Sequence, residues 1–138
     1  MKAKNFLTLI IFSFGISGIT LADYSTGLGA YNKGNYLKAL VEWLPLAEQG
    51  SLEAQYNLAG MYANGYGVKI DDSKAIYWYK KAALQGHPSS QYNLGVMYLI
   101  GNSVDKSIEE AKYWLHLAYD NDVNEAEIVW NQGKLWKY

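Results

Sequence analysis

Two histidines, His87 and His116, are the side chains of this sequence best suited to bind a metal or act as a general base near neutral pH. A zinc site built on one helix needs a second ligand one turn away, and an HExxH sequence occurs nowhere. We expect neither histidine to have a ligand or catalytic partner at that spacing. Both are therefore predicted to be surface or helix N-cap residues.

Two adjacent carboxylate pairs, Asp71-Asp72 and Glu109-Glu110, are candidates for acid–base catalysis. Neighbouring residues on a helix point about 100° apart, so neither pair can converge on one substrate bond. Both pairs precede helical patterns, where carboxylates stabilise the helix N-terminus. No serine lies in a GxSxG sequence, and Ser51, Ser73 and Ser107 are better explained as caps. We predict that the protein is not an enzyme.

The composition excludes several other kinds of site. With zero cysteines the chain can form no disulfide, thiol nucleophile or thiolate metal site. Its basic residues are all lysines, scattered apart from the pair Lys80-Lys81, whereas nucleic-acid binding needs a clustered basic surface. Gly65-Tyr66-Gly67 follows no predicted strand and is interpreted as a turn instead of a phosphate loop. We expect no cofactor, no metal and no nucleic acid.

A long internal repeat organises the chain, because residues 54–91 return almost position for position 36 residues later. Tyr-Asn-Leu occupies 56–58 and 92–94, and Tyr-Trp occupies 77–78 and 113–114. A fixed period of this length indicates a solenoid of stacked units.

Each unit is predicted to contain two helices, A and B. Leu58 and Tyr62 are four residues apart and predict one buried stripe on helix A. Helix B follows the cap candidates at 71–73, carries apolar residues at helical spacing and ends before Gly86. A helix pair this short cannot bury all of its Trp and Tyr rings, so the pairs must stack on one another.

The segments LAGMYANGYGV with DDSKAIYWYKKAALQG, and NLGVMYLIGNSV with EEAKYWLHLA, resemble the Sel1-like repeat family, whose relatives are the tetratricopeptide repeats. The resemblance implies an all-α fold, a right-handed α-solenoid of antiparallel helix pairs with helices A on the concave side. It divides a repeat domain, residues 23–138, into units at 24–53, 54–89 and 90–122 and a capping helix at 123–138. The implied function is the binding of other proteins.

A binding groove is predicted on the face of helices A that points away from the stripe of Leu58 and Tyr62. Asparagines repeated 36 residues apart could hold an extended peptide backbone, because an amide both donates and accepts. Alternatively, these asparagines serve the hydrogen bonding of the repeat itself. The predicted partner-binding residues are Asn57, Asn64, Asn93, Val96 and Ile100, with Tyr56 and Tyr92 at the edge.

The first 22 residues have the pattern of a secretory signal peptide. Lys2 and Lys4 precede an apolar run, and Thr20 and Ala22 provide the small residues that signal peptidase prefers. The run is shorter than the roughly 20 residues of a membrane helix, although an uncleaved anchor is the alternative. We therefore expect a periplasmic or secreted protein, with no membrane association after cleavage. Removal of two lysines would leave 10 basic and 13 acidic residues.

The repeat is irregular at both of its ends. The first unit has a shortened connector, and Gly27, Gly29 and Gly34 make its helix A, at about 24–33, a poor helix former. The last helix A is expected over 123–134, with Trp130 covering the preceding pair. The aromatic tail from Trp136 to Tyr138 is expected to fold back or to meet a partner.

Three functions are compatible with these features. The first is an exported, monomeric, non-catalytic module that binds a protein or peptide in the groove. The second is a cell-envelope enzyme of the β-lactamase-like type, although the chain lacks both cysteines and an SxxK sequence. The third is a peptidoglycan or glycan binder that uses exposed Tyr and Trp rings as stacking surfaces.

Overall fold

The computed structural model describes residues 22–101 and 105–132, and in these ranges it consists of seven α-helices with no strand. The main helix contacts join each helix to the next one along the chain, from α1 with α2 to α6 with α7. This is the contact pattern of a linear array, and the expected all-α solenoid is confirmed. The helices are α1 (Tyr24–Asn32), α2 (Tyr36–Glu48), α3 (Leu52–Asn64), α4 (Asp72–Leu84), α5 (Pro88–Ile100), α6 (Ile108–Asp120) and α7 (Asn124–Gln132).

Short polar side chains start the regular helices. Ser51 and Ser107 are N-caps, and their hydroxyls accept from Ala54 N at 3.4 Å and Glu110 N at 3.2 Å. Asp71 caps α4 by accepting from Lys74 N at 2.9 Å. Ser73, which we expected to cap, lies inside α4 instead.

The A helices begin slightly earlier than the unit boundaries expected from the repeat. Helix α3 starts at Leu52 and α5 at Pro88, two residues before the expected unit starts at 54 and 90. The reason is local, because the residues that cap them are Ser51 and His87. Proline at the first helical position costs no hydrogen bond, since that N–H has no partner within the helix.

Helix α1 forms where the first helix A was expected, although its glycines make it a poor helix former by intrinsic propensity. Asp23 caps it, and hydrogen bonds from the hydroxyl of Ser25 and from Thr26 lower the pKa of the Asp23 carboxyl to about 2. Gly27 lies against the indole of Trp43, where an added Cβ would be 2.4 Å from Nε1. The missing side chain is therefore what allows α1 to approach α2. Gly34 lies beyond the helix with a φ of 76°.

Three tryptophans of the B helices, Trp43, Trp78 and Trp114, lie in one hydrophobic cluster that runs from α1 to α6. Each is at most 7% exposed. This cluster joins all three helix pairs, and a second, smaller cluster around Ala111 and Leu115 lies between α5, α6 and α7. The burial of the three tryptophans makes their rings unavailable as stacking surfaces for a glycan, whereas Tyr77 and Tyr113 are more than half exposed.

A buried glutamine links the first two units. Gln55 is 3% exposed, and its Nε2 donates to the carbonyl of Ala47 near the end of α2 at 3.0 Å. Its Oε1 accepts from Gln85 Nε2, at the C-cap of α4, at 2.7 Å. One side chain on α3 therefore hydrogen-bonds to the ends of α2 and α4, and it adds a side-chain donor to a helix-end carbonyl that also accepts from Gly50 N.

The same joint recurs between the second and third units. Gln91 Nε2 donates to Ala83 O at 3.3 Å, and Gln91 Oε1 accepts from Asn121 Nδ2 at 3.1 Å. The next equivalent position is Glu127, which is exposed. An ionised carboxylate has no donor hydrogen for a helix-end carbonyl, so the pattern stops at α7.

Helix α7 is the last helix of the described residues. Trp130 packs with the apolar cluster around Ala111 and Leu115, as expected for the residue that covers the last pair. The tail from Trp136 to Tyr138 and most of the proposed signal peptide lie outside the described residues. Among the helices of the described ranges, none has the length and apolarity needed to cross a membrane.

Candidate functional site: a groove between the A helices

An open cavity of about 520 Å³ lies along the A helices, and we call it the groove. Four helices contribute its walls, with α3 and α5 supplying most of the lining. The lining residues are Tyr31 from α1; Tyr56, Asn57, Gly60, Ala63 and Asn64 from α3; Asp72 and Tyr79 from α4; and Asn93, Val96, Met97 and Ile100 from α5.

The structure brings six of the seven sequence-predicted site residues to this groove: Tyr56, Asn57, Asn64, Asn93, Val96 and Ile100. Tyr92 is the exception, because it is half-buried and packs with the cluster around Ala111 and Leu115. The one-residue step from Tyr92 to Asn93 turns the side chain by about 100° around α5, which separates the two environments.

Both repeated asparagines hydrogen-bond to tyrosine side chains. Asn57 Nδ2 donates to the Tyr24 hydroxyl at 2.9 Å, and Asn93 hydrogen-bonds to Tyr79. The position equivalent to Tyr79 in the first unit is Trp43, which has no hydroxyl, so Tyr24 supplies one instead. Both asparagines therefore take part in the repeat's own hydrogen bonding, as the alternative interpretation held. Each amide can still form hydrogen bonds with a ligand, because it has two donor hydrogens and an acceptor oxygen and uses only one of them on tyrosine.

Tyrosines form one wall of the groove, and two of them, Tyr31 and Tyr79, were not among the residues predicted from the sequence. Tyr79 is on helix α4, and although it borders the groove it is only 6% exposed. Burial raises the pKa of Tyr79 to about 12, and the neighbouring Tyr56 phenol adds to the effect. Tyr79 is therefore a neutral hydroxyl at physiological pH. Tyr31 comes from the irregular first unit, where the repeat offers no register to locate it.

Tyr31 belongs to an aromatic cluster at the α1 end of the groove. Its ring centroid is 5.2 Å from that of Tyr36, 6.0 Å from Tyr66 and 5.5 Å from Trp43. Tyr36 and Tyr66 stack at 5.0 Å. Gly67 makes this possible, because an added Cβ there would be 2.6 Å from Tyr36 Cβ. The α3–α4 turn of the second unit thus folds over the first unit.

Asp72 is the acidic residue of the groove lining, and no lysine or histidine contributes to it. The far end of the groove is apolar, with Val96, Met97 and the 59% exposed Ile100. In the described part of the chain, no group of three His, Asp or Glu side chains could hold a metal ion. The groove therefore offers hydrogen bonds and apolar contacts to a ligand.

The two histidines differ in their surroundings. His87 caps α5, with Nδ1 accepting from Ser90 N at 3.1 Å, and its ring is 4.5 Å from that of Tyr56 at the groove. His116 was expected to have no partner one turn away, and that was wrong, because its Nδ1 is 2.9 Å from Asp120 Oδ2. Both members of this pair are more than half exposed and lie outside the groove.

The cap at His87 predicts a pH dependence of stability. Burial lowers the pKa of His87 below its ordinary 6.5, so the unfolded chain binds the proton more readily. The free energy of unfolding should therefore fall as the pH drops below about 6.5, and the melting temperature should follow. His87→Asn keeps a cap acceptor without a titrating ring and should weaken this dependence. An unchanged pH profile in that variant would assign the effect to other groups.

A model of the Sel1 repeat matches residues 52–87 and 88–123, which together are more than half of the chain. The chain belongs to the Sel1 repeat family. The two matched repeats correspond to the helix pairs α3–α4 and α5–α6, and the pair α1–α2 precedes them. The groove is thus built mainly by the A helices of the two matched repeats.

Two solved structures support the same assignment. The crystal structure of a Sel1 repeat protein from Oxalobacter formigenes is 31% identical with a TM-score of 0.73, over 77% of this chain and 44% of that one. The structure of c5321, a protective antigen of uropathogenic Escherichia coli strains with an SLR fold, is 35% identical with a TM-score of 0.71. That match covers 81% of this chain and 27% of the antigen. This Sel1 repeat chain thus spans less than half of either structure.

No functionally curated protein matches the sequence.

Proposed function

We propose that this protein is an exported, non-catalytic binding module whose groove holds an extended segment of a partner protein. Sel1 repeat proteins typically mediate protein–protein interactions and are generally non-catalytic scaffolds. The observation that carries the proposal is the placement of Asn57 and Asn93 at equivalent positions of successive A helices, on the same groove.

Side-chain amides suit this ligand because helices offer it no free backbone. A bound peptide that cannot pair with a strand edge must satisfy its N–H and C=O groups through side chains. Asn57 and Asn93 each provide both donor and acceptor, and Tyr24 and Tyr79 hold them in position. Anchored amides lose less rotamer freedom when a ligand binds, which lowers the cost of association.

The apolar end of the groove adds selectivity for one side chain of the ligand. Val96 and Ile100 occupy the positions that Gly60 and Asn64 occupy one unit earlier, so the groove is polar at α3 and apolar at α5. A segment with an apolar residue at the α5 end and neutral or basic residues near Asp72 fits this arrangement. We expect a monomeric protein that binds neither nucleic acid nor a membrane surface.

The partner can be found by crosslinking from inside the groove. A photoreactive phenylalanine in place of Ile100, which is 59% exposed, should capture the partner segment in the native envelope. The matched control replaces Tyr77, which is 51% exposed on helix α4 and outside the groove. Capture from position 77 alone would place the binding surface on the B helices.

The captured segment then tests the asparagines quantitatively. Each lost hydrogen bond is worth about 0.5–1.5 kcal/mol, so Asn57→Ala with Asn93→Ala should weaken binding at least several-fold in a calorimetric titration. The helical circular dichroism should remain, because both residues are only half-buried. The control is the pair Lys80→Ala and Lys81→Ala on α4, outside the groove. Unchanged binding in the asparagine variant and loss in the lysine variant would contradict the proposal.

Export is tested by mass. The Lys-rich start, the apolar run and the sequence Thr20-Leu21-Ala22 predict that signal peptidase cleaves after Ala22. The intact mass of protein purified from its native envelope should correspond to a chain that begins at Asp23. A mass that includes residues 1–22 would instead indicate an uncleaved anchor.

A further inference from the structure

The first residues after the proposed cleavage site are tied into the array. Asp23 N donates to Glu42 Oε2 at 3.1 Å, and Trp43 Nε1 donates to Tyr24 O at 3.2 Å. Tyr24 also stacks on Trp43 at 5.8 Å between ring centroids and accepts from Asn57 at 2.9 Å. Residues 23 and 24 are thus fixed against both α2 and α3.

The atom that contacts Glu42 is also the atom that cleavage would change. Hydrolysis of the peptide bond between Ala22 and Asp23 adds water across that bond, leaving a carboxylate on Ala22 and an amine on Asp23. The amine is protonated at neutral pH, because an α-amino group has a pKa of about 7.7–8.0. A neutral N–H donor thereby becomes a full positive charge at the same position.

We propose that the new N-terminus docks on α2, with the Asp23 ammonium forming an ion pair with the Glu42 carboxylate that closes α1 onto its partner helix. The inference rests on the proposed cleavage after Ala22. It identifies Glu42 as the residue that receives the processed N-terminus, and it makes the mature chain differ from its precursor in the folded array.

The local charges favour this pair. The N-terminus of α1 contributes a partial positive charge of roughly +0.5, which opposes an ammonium. Two full negative charges outweigh it, namely the carboxylates of Glu42 and Asp23, and the Asp23 carboxyl has a pKa of about 2. Because the backbone at residues 23 and 24 is already held by α2 and α3, little chain entropy is lost when the pair forms.

These charges determine the direction in which the pKa of the Asp23 α-amino group shifts. A carboxylate beside an ammonium stabilises the charged form and raises the pKa of the α-amino group in the folded chain. Any stability gained from the pair is therefore present below the unfolded pKa, near 8, and is lost as the pH rises through the folded value. Salt should reduce the effect, since Asp23 is exposed.

The test measures the reactivity of the amine. A chain that begins at Asp23 can be released from an N-terminal fusion by a protease that leaves no added residue. Acylation of its α-amine, followed by mass spectrometry near pH 8, should be several-fold slower than in Glu42→Gln, because only the neutral amine reacts. The matched control is Glu48→Gln on the same helix, where Glu48 is exposed and the rate should equal that of the parent.

A second protein tests whether the effect depends on the position of the amine. A chain that begins at Ala22 displaces the amine by one residue, so Glu42→Gln should leave its acylation rate unchanged. Equal rates for the Asp23 chain and its Glu42→Gln variant would overturn the ion pair, and so would an equal response in the Ala22 chain. Neither result depends on export, because cleavage in the cell is decided separately by the mass of the native protein.

Discussion

Trp78→Ala is expected to lower the free energy of unfolding by about 3–5 kcal/mol, the usual cost of truncating a buried tryptophan. Trp78 is 7% exposed and lies in the cluster that runs from α1 to α6. A cavity there removes contacts that hold neighbouring helix pairs together, so the whole array should lose stability in one transition. Chemical denaturation followed by circular dichroism measures both the midpoint and the slope.

Leu84→Ala is the control for this prediction. Leu84 is on the same helix but 68% exposed, so its truncation should change the free energy of unfolding by less than about 0.5 kcal/mol. A loss below about 1 kcal/mol in Trp78→Ala would mean that the ring contributes little to the core. Two separate transitions would mean that the helix pairs are not interdependent.

Gly27→Ala should destabilise the protein, whereas Gly29→Ala, two residues later on the same helix, should stabilise it. A Cβ at Gly27 would lie 2.4 Å from Trp43 Nε1 and 2.7 Å from Cδ1, while a Cβ at Gly29 meets nothing within 4 Å. Trp43 is 1% exposed and donates to Tyr24 O, so its ring cannot move aside without breaking that bond.

The difference in the free energy of unfolding between the two variants measures the steric clash with Trp43. Both substitutions gain the same helix propensity, up to about 1 kcal/mol, and this gain cancels in the difference between them. The remaining difference in the free energy of unfolding should be about 1–3 kcal/mol, as for other overpacked cores. Thermal or urea denaturation of the two variants gives it directly. Equal stabilities would show that α1 can shift away from Trp43 at no cost.

The regular part of the fold was predictable because most positions of the repeat occur twice in the sequence, 36 residues apart, so that each copy supports the assignment of the other. Leu58 and Leu94 are both 0% exposed, as their common place on the helical stripe required. The first unit lacks that second copy over its helix A. The glycine content indicated only that α1 is a poor helix former, and it could not reveal that Gly27 is needed to let Trp43 approach.

The groove was predictable to the extent that it follows from helical geometry. A 100° step per residue separated Asn57 and Asn93 from the buried stripe, and both line the groove. The wall contributed by helix B was not predicted, because Tyr79 is almost fully buried and still borders the groove. The pattern of one helix cannot show which residues of a neighbouring helix share its cavity.

The glutamine joints imply an order of opening. Gln55 and Gln91 each donate a side-chain hydrogen bond to the end of the preceding helix and connect three helices, whereas Glu127 brings no donor to the joint between α6 and α7. Local opening follows the weakest joint, so amide hydrogens in α7 should exchange with solvent faster than those in α3 and α5. Helix α7 would then open locally while the groove and the cluster that joins the three helix pairs stay assembled.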